Sequence, residues 1–145
     1  MSRSHDVRRT LPNNRRHGFT LTELLITVAV LSIIMAIAVP SYRQFVIRGK
    51  RSAAQSVMMD VANREQQYLL ANREYADKAT LEANGFALPS EVSQNYTWDI
   101  ELGAGPAPAF VITFTGIGAQ AADNLPAPLT LTSSGEKAPP EKWKR

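Results

Sequence analysis

The chain has 145 residues, 44% of them hydrophobic and 20% charged, which fits a folded protein of one or at most two domains and not a disordered one. It contains no cysteine, and that excludes a disulfide framework, a thiolate metal site and a cysteine nucleophile together. The formal charge of +3 is lopsided, because residues 1–18 hold five arginines and one acid while residues 19–145 hold 11 basic and 12 acidic groups; a whole-chain argument for nucleic-acid binding fails on that arithmetic.

Residues 1–18 are basic, polar and without hydrophobic periodicity, and read as a segment to be removed. Phe19 to Pro40 follows as an apolar run. Leu24 to Val39 carries no charge and only two polar residues, Thr27 and Ser32. Counted back to Phe19, the run makes roughly 32 Å of helix, enough to cross a bilayer core. Its Leu, Ile and Val residues favour insertion by roughly 3–6 kcal/mol. A single acid, Glu23, costs ~3 kcal/mol at mid-membrane and less near the edge, so insertion prevails. The preceding arginines predict a cytoplasmic N-terminus. A secretory signal peptide cut after Ala36-Ile37-Ala38 is the competing reading, but the helical pattern does not stop there.

Glu23 is the most informative residue. A carboxylate in an apolar helix needs a partner or must be neutral, and no basic residue lies between Phe19 and Tyr42. Cleavage after Gly18 would give Phe19 a free α-amine, a counter-charge for Glu23 of the same chain or of a neighbour. Snorkelling of Glu23 to the interface is the alternative. Gly18-Phe19-Thr20-Leu21-Thr22-Glu23, the apolar run and Pro40 resemble the N-terminus of type IV prepilins. The resemblance implies cleavage between Gly18 and Phe19 by a prepilin peptidase that also N-methylates Phe19, with Glu23 as the assembly residue. It also implies a helix that bends or melts near Pro40 during assembly. A proline there removes one backbone donor and predicts a kink on physical grounds alone.

Beyond Pro40 a three- and four-residue apolar period runs from Tyr42 and Phe45 through Val46, Ala53, Ala54, Val57, Met58 and Val61 to Tyr68 and Leu69, predicting an amphipathic helix over 41–70. The basic cluster Arg43, Arg48, Lys50 and Arg51 lies on it. A solvated or intersubunit face, a lipid-facing one and a nucleic-acid one all remain open for that cluster, of which Arg48, Lys50 and Arg51 are the candidate binding residues. Residues 71–95 read as a loop with one short helix, Lys78–Asn84. Tyr96–Leu102, Phe110–Thr115 and Leu129–Thr132 read as strands, with Gly103–Pro108 as a hairpin connection and Ser134-Gly135 as a turn. So small a sheet without disulfides is marginal alone, and the helix stripe from Val46 to Leu69 supplies the other half of its core.

The expectation is therefore an α+β, type IV pilin-like chain. It has a leader at 1–18, a transmembrane and polymerisation helix at 19–40, and a head at 41–145 with the sheet of three or four strands and the C-terminal loop at 96–145. Gly118-Ala119-Gln120-Ala121-Ala122-Asp123, Leu129 to Gly135 and the late Trp143 resemble minor pilins of the PilE type. Many such relatives close this loop with a cysteine pair, near Asn124 and just before Trp143. Both are absent here, leaving Pro126, Pro128, Pro139 and Pro140 to restrict it. Lys142-Trp143-Lys144-Arg145 reads either as a frayed end or as a binding surface.

Residues 19–145 hold no His or Cys and no Gly-rich phosphate loop, and Asp99 and Glu101 fit a solvated sheet face. An enzyme, a metal site or a cofactor is not expected. The resemblance implies a structural pilus subunit, a minor pilin in particular, serving pilus assembly, twitching motility and adhesion. Its partners would be the prepilin peptidase and methyltransferase, other pilin subunits and inner-membrane lipid, with nucleic acid disfavoured. It would span the inner membrane once, head in the periplasm, before joining an extracellular filament. A pseudopilin of a type II secretion system and a pilin-borne DNA receptor are the alternatives.

Overall fold

The computed structural model describes residues 18–144; the expected leader, except for Gly18, lies outside them. The chain divides into two compact units between Val39 and Pro40. Helix α1 is Leu21–Asn72 and includes Pro40.

In the first unit, α1 is long and apolar enough to cross a membrane. Every large apolar side chain from Phe19 to Val39 is at least 43% exposed. The two polar residues of the run are satisfied within the helix. Thr27 Oγ1 donates to the Glu23 carbonyl at 2.7 Å and Ser32 Oγ to that of Val28 at 2.8 Å, so neither hydroxyl opposes immersion in hydrocarbon.

In the second unit, α1 buries Ala54, Met58, Val61 and Glu65, spaced four, three and four residues apart along one stripe. Helices α2 (Lys78–Ala83) and α3 (Ser90–Ser93) follow. Asp77 starts α2 by accepting the Thr80 N–H at 2.8 Å, the N-cap bond that an aspartate supplies. The sheet has four antiparallel strands in the order β1 (Tyr96–Leu102), β2 (Phe110–Gly116), β3 (Leu129–Thr132) and β4 (Lys137–Ala138). A short helix α4 (Pro140–Trp143) ends the described chain. The alternation foreseen for β1 is present: Tyr96, Trp98 and Ile100 are buried and Thr97, Asp99 and Glu101 exposed. With Phe110, Ile112, Phe114, Leu129 and Leu131 they join Met58 and Val61 in one core. Each large side chain there contributes about 1.5–3 kcal/mol by leaving water.

Some expectations need correction. Tyr42 and Phe45 are 69% and 73% exposed, because α1 enters the core further on, at Ala54. Residues 71–95 contain α3 as well as the foreseen short helix. The turn at Ser134-Gly135 returns the chain into β4, which two residues could not announce by periodicity. Between β2 and β3, Gly118–Asn124 forms a 3-10 helix folded tightly onto the end of β2. A Cβ at Gly116 would sit 2.4 Å from the Gln120 carbonyl oxygen, so only glycine permits this approach. The close fold buries the side chains of Gln120 and Asp123.

Candidate functional site

At the start of α1, Thr20 acts as the cap. Its Oγ1 accepts the Glu23 N–H at 3.2 Å and its carbonyl accepts the Leu24 N–H at 3.2 Å. Thr-x-x-Glu is the sequence signature of such a start, a role for Thr20 that the sequence analysis missed. Glu23 thereby lies in the first turn, where the unpaired backbone N–H groups favour a negative charge. Among the described residues no ion pair reaches its carboxylate. Phe19, four residues before it, is 83% exposed.

The structure divides the basic cluster on α1. Arg43 and Arg48 are exposed. Lys50 donates to Asn95 Oδ1 at 2.7 Å. Arg51, half-buried, turns inward and pairs with the buried carboxylate of Asp123, which neutralises its charge. The C-terminal tail is not frayed as far as Lys144. Trp143 packs against the core, with Nε1 donating to the Ala138 carbonyl at 3.2 Å, and Lys142 is buried. These placements bring together two stretches that are far apart in sequence. A groove of about 510 Å³ runs between α1 and the tail, with Arg48, Arg51, Lys137, Lys142 and Lys144 in its wall beside Trp143.

Behind that wall a buried polar cluster locks the tail. Asp123 takes Arg51 on Oδ1 and the Tyr96 hydroxyl on Oδ2, the latter at 2.6 Å. Gln120 Nε2 donates to the Tyr96 hydroxyl at 2.8 Å and to the Ile47 carbonyl at 3.0 Å. Lys142 Nζ donates to the carbonyls of Asp123 and Ala127, while Gln55 Nε2 reaches the Lys142 carbonyl at 2.9 Å. Burial, reinforced by the Asp123 carboxylate, drives the Tyr96 hydroxyl well above its ordinary pKa. Burial lowers the Lys142 ammonium, with the Asp123 charge opposing that shift and the Arg51 charge adding to it. Asn124 completes the closure, exchanging two hydrogen bonds with the Gly116 backbone at 2.6 and 2.8 Å. Lys142 thus ties to Asp123 the same two stretches that the resemblance implied a cystine would join in other pilins.

Residues 40–130 match the family model described as type IV minor pilin ComP, DNA uptake sequence receptor, and residues 13–39 match the prokaryotic N-terminal methylation motif. The chain is similar to the type IV major pilin protein PilA of Myxococcus xanthus, 31% identical over 93 residues, which are 64% of this chain and 40% of that protein. A fimbrial protein of Neisseria meningitidis serogroup B is 30% identical over 93 residues, 64% of this chain and 54% of its own. The type IV major pilin protein PilE1 of Neisseria gonorrhoeae is 27% identical over 101 residues, 70% of this chain and 61% of its own. The aligned stretch spans about half the length of these relatives. No solved structure gives a significant match.

Proposed function

Because the chain belongs to the family described as type IV minor pilin ComP, DNA uptake sequence receptor, we propose that it is a structural subunit of a type IV pilus, and within the filament a minor one. The carrying observation is the helix from Leu21 onwards, whose apolar side chains are uncovered up to Val39 and whose one acid has no partner in the described chain. Such a helix requires lipid or other copies of the same helix around it. A peptidase cut between Gly18 and Phe19, followed by N-methylation, turns Phe19 into the cation that Glu23 pairs with in a neighbouring subunit. Pro40 loosens the helix as the subunit leaves the inner membrane for the extracellular filament. The intact mass of the mature protein tests this reading directly. A first residue other than Phe19 defeats it. Loss of twitching motility with secretion intact separates the pilus subunit from a pseudopilin.

A second reading, reception of DNA on the pilus surface, is favoured by the family description over residues 40–130 and by the cationic groove. Binding of duplex DNA by the full chain in neutral detergent, weakening as salt rises, tests it.

A further inference from the structure

We propose that a second groove, between the first head turns of α1 and the 3-10 helix, holds the headgroup of an anionic phospholipid while the subunit is still in the membrane, an inference that rests on the pilus-subunit reading above and names its lipid partner. The groove measures about 530 Å³. Half-buried Val46 and Ile47 line it together with Ala119, and Arg43 and Lys50 flank them about two helical turns apart on α1. Gln120 fixes the facing wall, because its Nε2 donates to the Ile47 carbonyl at 3.0 Å and to the Tyr96 hydroxyl at 2.8 Å. None of the lining residues is acidic, and among the described residues no carboxylate pairs with either cation. Arg43 is exposed. Lys50 gives one N–H to Asn95 Oδ1 at 2.7 Å and keeps two. Two cations over an apolar floor attract an anion more strongly than the same charges in open water.

Position along the chain selects a lipid as the anion. Tyr42 and Arg43 come three and four residues after Val39, where the uncovered apolar run ends. In helix α1 four residues advance only about 6 Å, and the headgroup layer is roughly 5–7 Å deep on each side of the hydrocarbon. Arg43 therefore starts inside that layer when the run is immersed. Helical side chains lean towards the N-terminus, and a lysine stem is long enough to carry its ammonium further the same way, so Lys50 reaches back towards Arg43. Tyr42 and Phe45 remain 69% and 73% exposed, and aromatic rings, tyrosine above all, settle at this level of a bilayer. The charge on the groove sets the lipid class. Phosphatidylglycerol brings a phosphate and no cation of its own, whereas the choline ammonium of a zwitterionic lipid is repelled by Arg43 and Lys50. The acyl chains stay in the hydrocarbon.

The test is native mass spectrometry of the full chain in neutral detergent, titrated with phosphatidylglycerol and, separately, with phosphatidylcholine. Wild type should prefer phosphatidylglycerol, and Arg43→Gln with Lys50→Gln should cut that preference about 30-fold, the worth of two cations at a membrane surface. Arginines of the leader, if still attached, contribute equally to wild type and variant, so the difference belongs to the groove. Arg43→Lys with Lys50→Arg should keep the preference, which separates lost charge from lost folding, and Arg73→Asn, outside the groove, should leave it unchanged. Equal binding of the two lipids, or a preference indifferent to the Gln pair, overturns the inference. Free glycerol phosphate bound as tightly as phosphatidylglycerol overturns it too, since the site would then take phosphate without lipid. Duplex DNA bound more tightly than phosphatidylglycerol through the same pair reassigns the groove to nucleic acid and has the same effect. The same spectra give the first residue of the mature chain. Phe19 at the terminus with no lipid preference defeats this inference and leaves the pilus subunit standing, whereas another first residue defeats the subunit reading itself.

Discussion

A single carboxylate can direct assembly only if nothing nearer satisfies it. Thr20 caps α1 through the Glu23 backbone N–H and leaves the Glu23 side chain uncommitted within the described chain. Glu23→Ala is therefore expected to preserve insertion and processing and to abolish incorporation into filaments, as read by immunoblot of sheared pili against membranes. Gly18→Ala should leave the uncut precursor, visible as a larger band in the same membranes. Glu65 makes a different use of a buried acid. It is 0% exposed, Oε2 accepts the Ala76 N–H at 2.9 Å, and Oε1 has no partner among the described residues. Burial, and to a lesser degree the Asp77 charge, raises its pKa from the ordinary 4.5 against the lowering effect of that hydrogen bond. A folded-state value above the unfolded one gives stability that is fully present below the unfolded value and is lost as pH rises through the folded value. Glu65→Gln keeps the acceptor for Ala76 and removes the charge. It should unfold roughly 4–8 °C higher than wild type at pH 7, equivalent to about 1 kcal/mol, with the gap closing towards pH 4.5 in thermal melts.

At the scale of elements, what repeats was legible and what closes was not. The strands β1 to β3 announced themselves through alternating Tyr96, Trp98 and Ile100 and through β-rich runs, and the stripe from Ala54 to Val61 through its period. Glu23 stood out in the sequence because a lone acid in an apolar run is a local anomaly, and the roles proposed for Gly18 and Phe19 come from the motif around it. The groove and the polar cluster were not. They need Arg51 and Asp123 to meet across 72 residues, and pairing at that separation leaves no periodic trace. One clue was available: Gly116 and Asn124 bracket a short alanine-rich segment, with Gln120 and Asp123 its two polar side chains, that an alternating strand precedes. The tail's anchoring leads to a prediction at this scale. Asp123→Ala leaves half-buried Arg51 and buried Lys142 without their counter-charge, which should cost about 3 kcal/mol and lower the thermal midpoint of the head by roughly 12 °C or more. Hydrogen exchange should then show β4 and α4 opening before β2.

The whole molecule joins a segment that only lipid or other subunits can cover to a head that covers itself. A chain beginning at residue 41 is expected to remain monomeric in detergent-free buffer, whereas the full chain sediments, a contrast that size-exclusion chromatography measures. The tail is held to the head by charge, hydrogen bonding and the packing of Trp143, and residues 40–145 contain no thiol. Its maturation after export accordingly depends on no oxidant and no thiol-exchange catalyst. A reductant such as dithiothreitol should leave its melting unaltered, so a cell short of oxidising power would still display this subunit in working order.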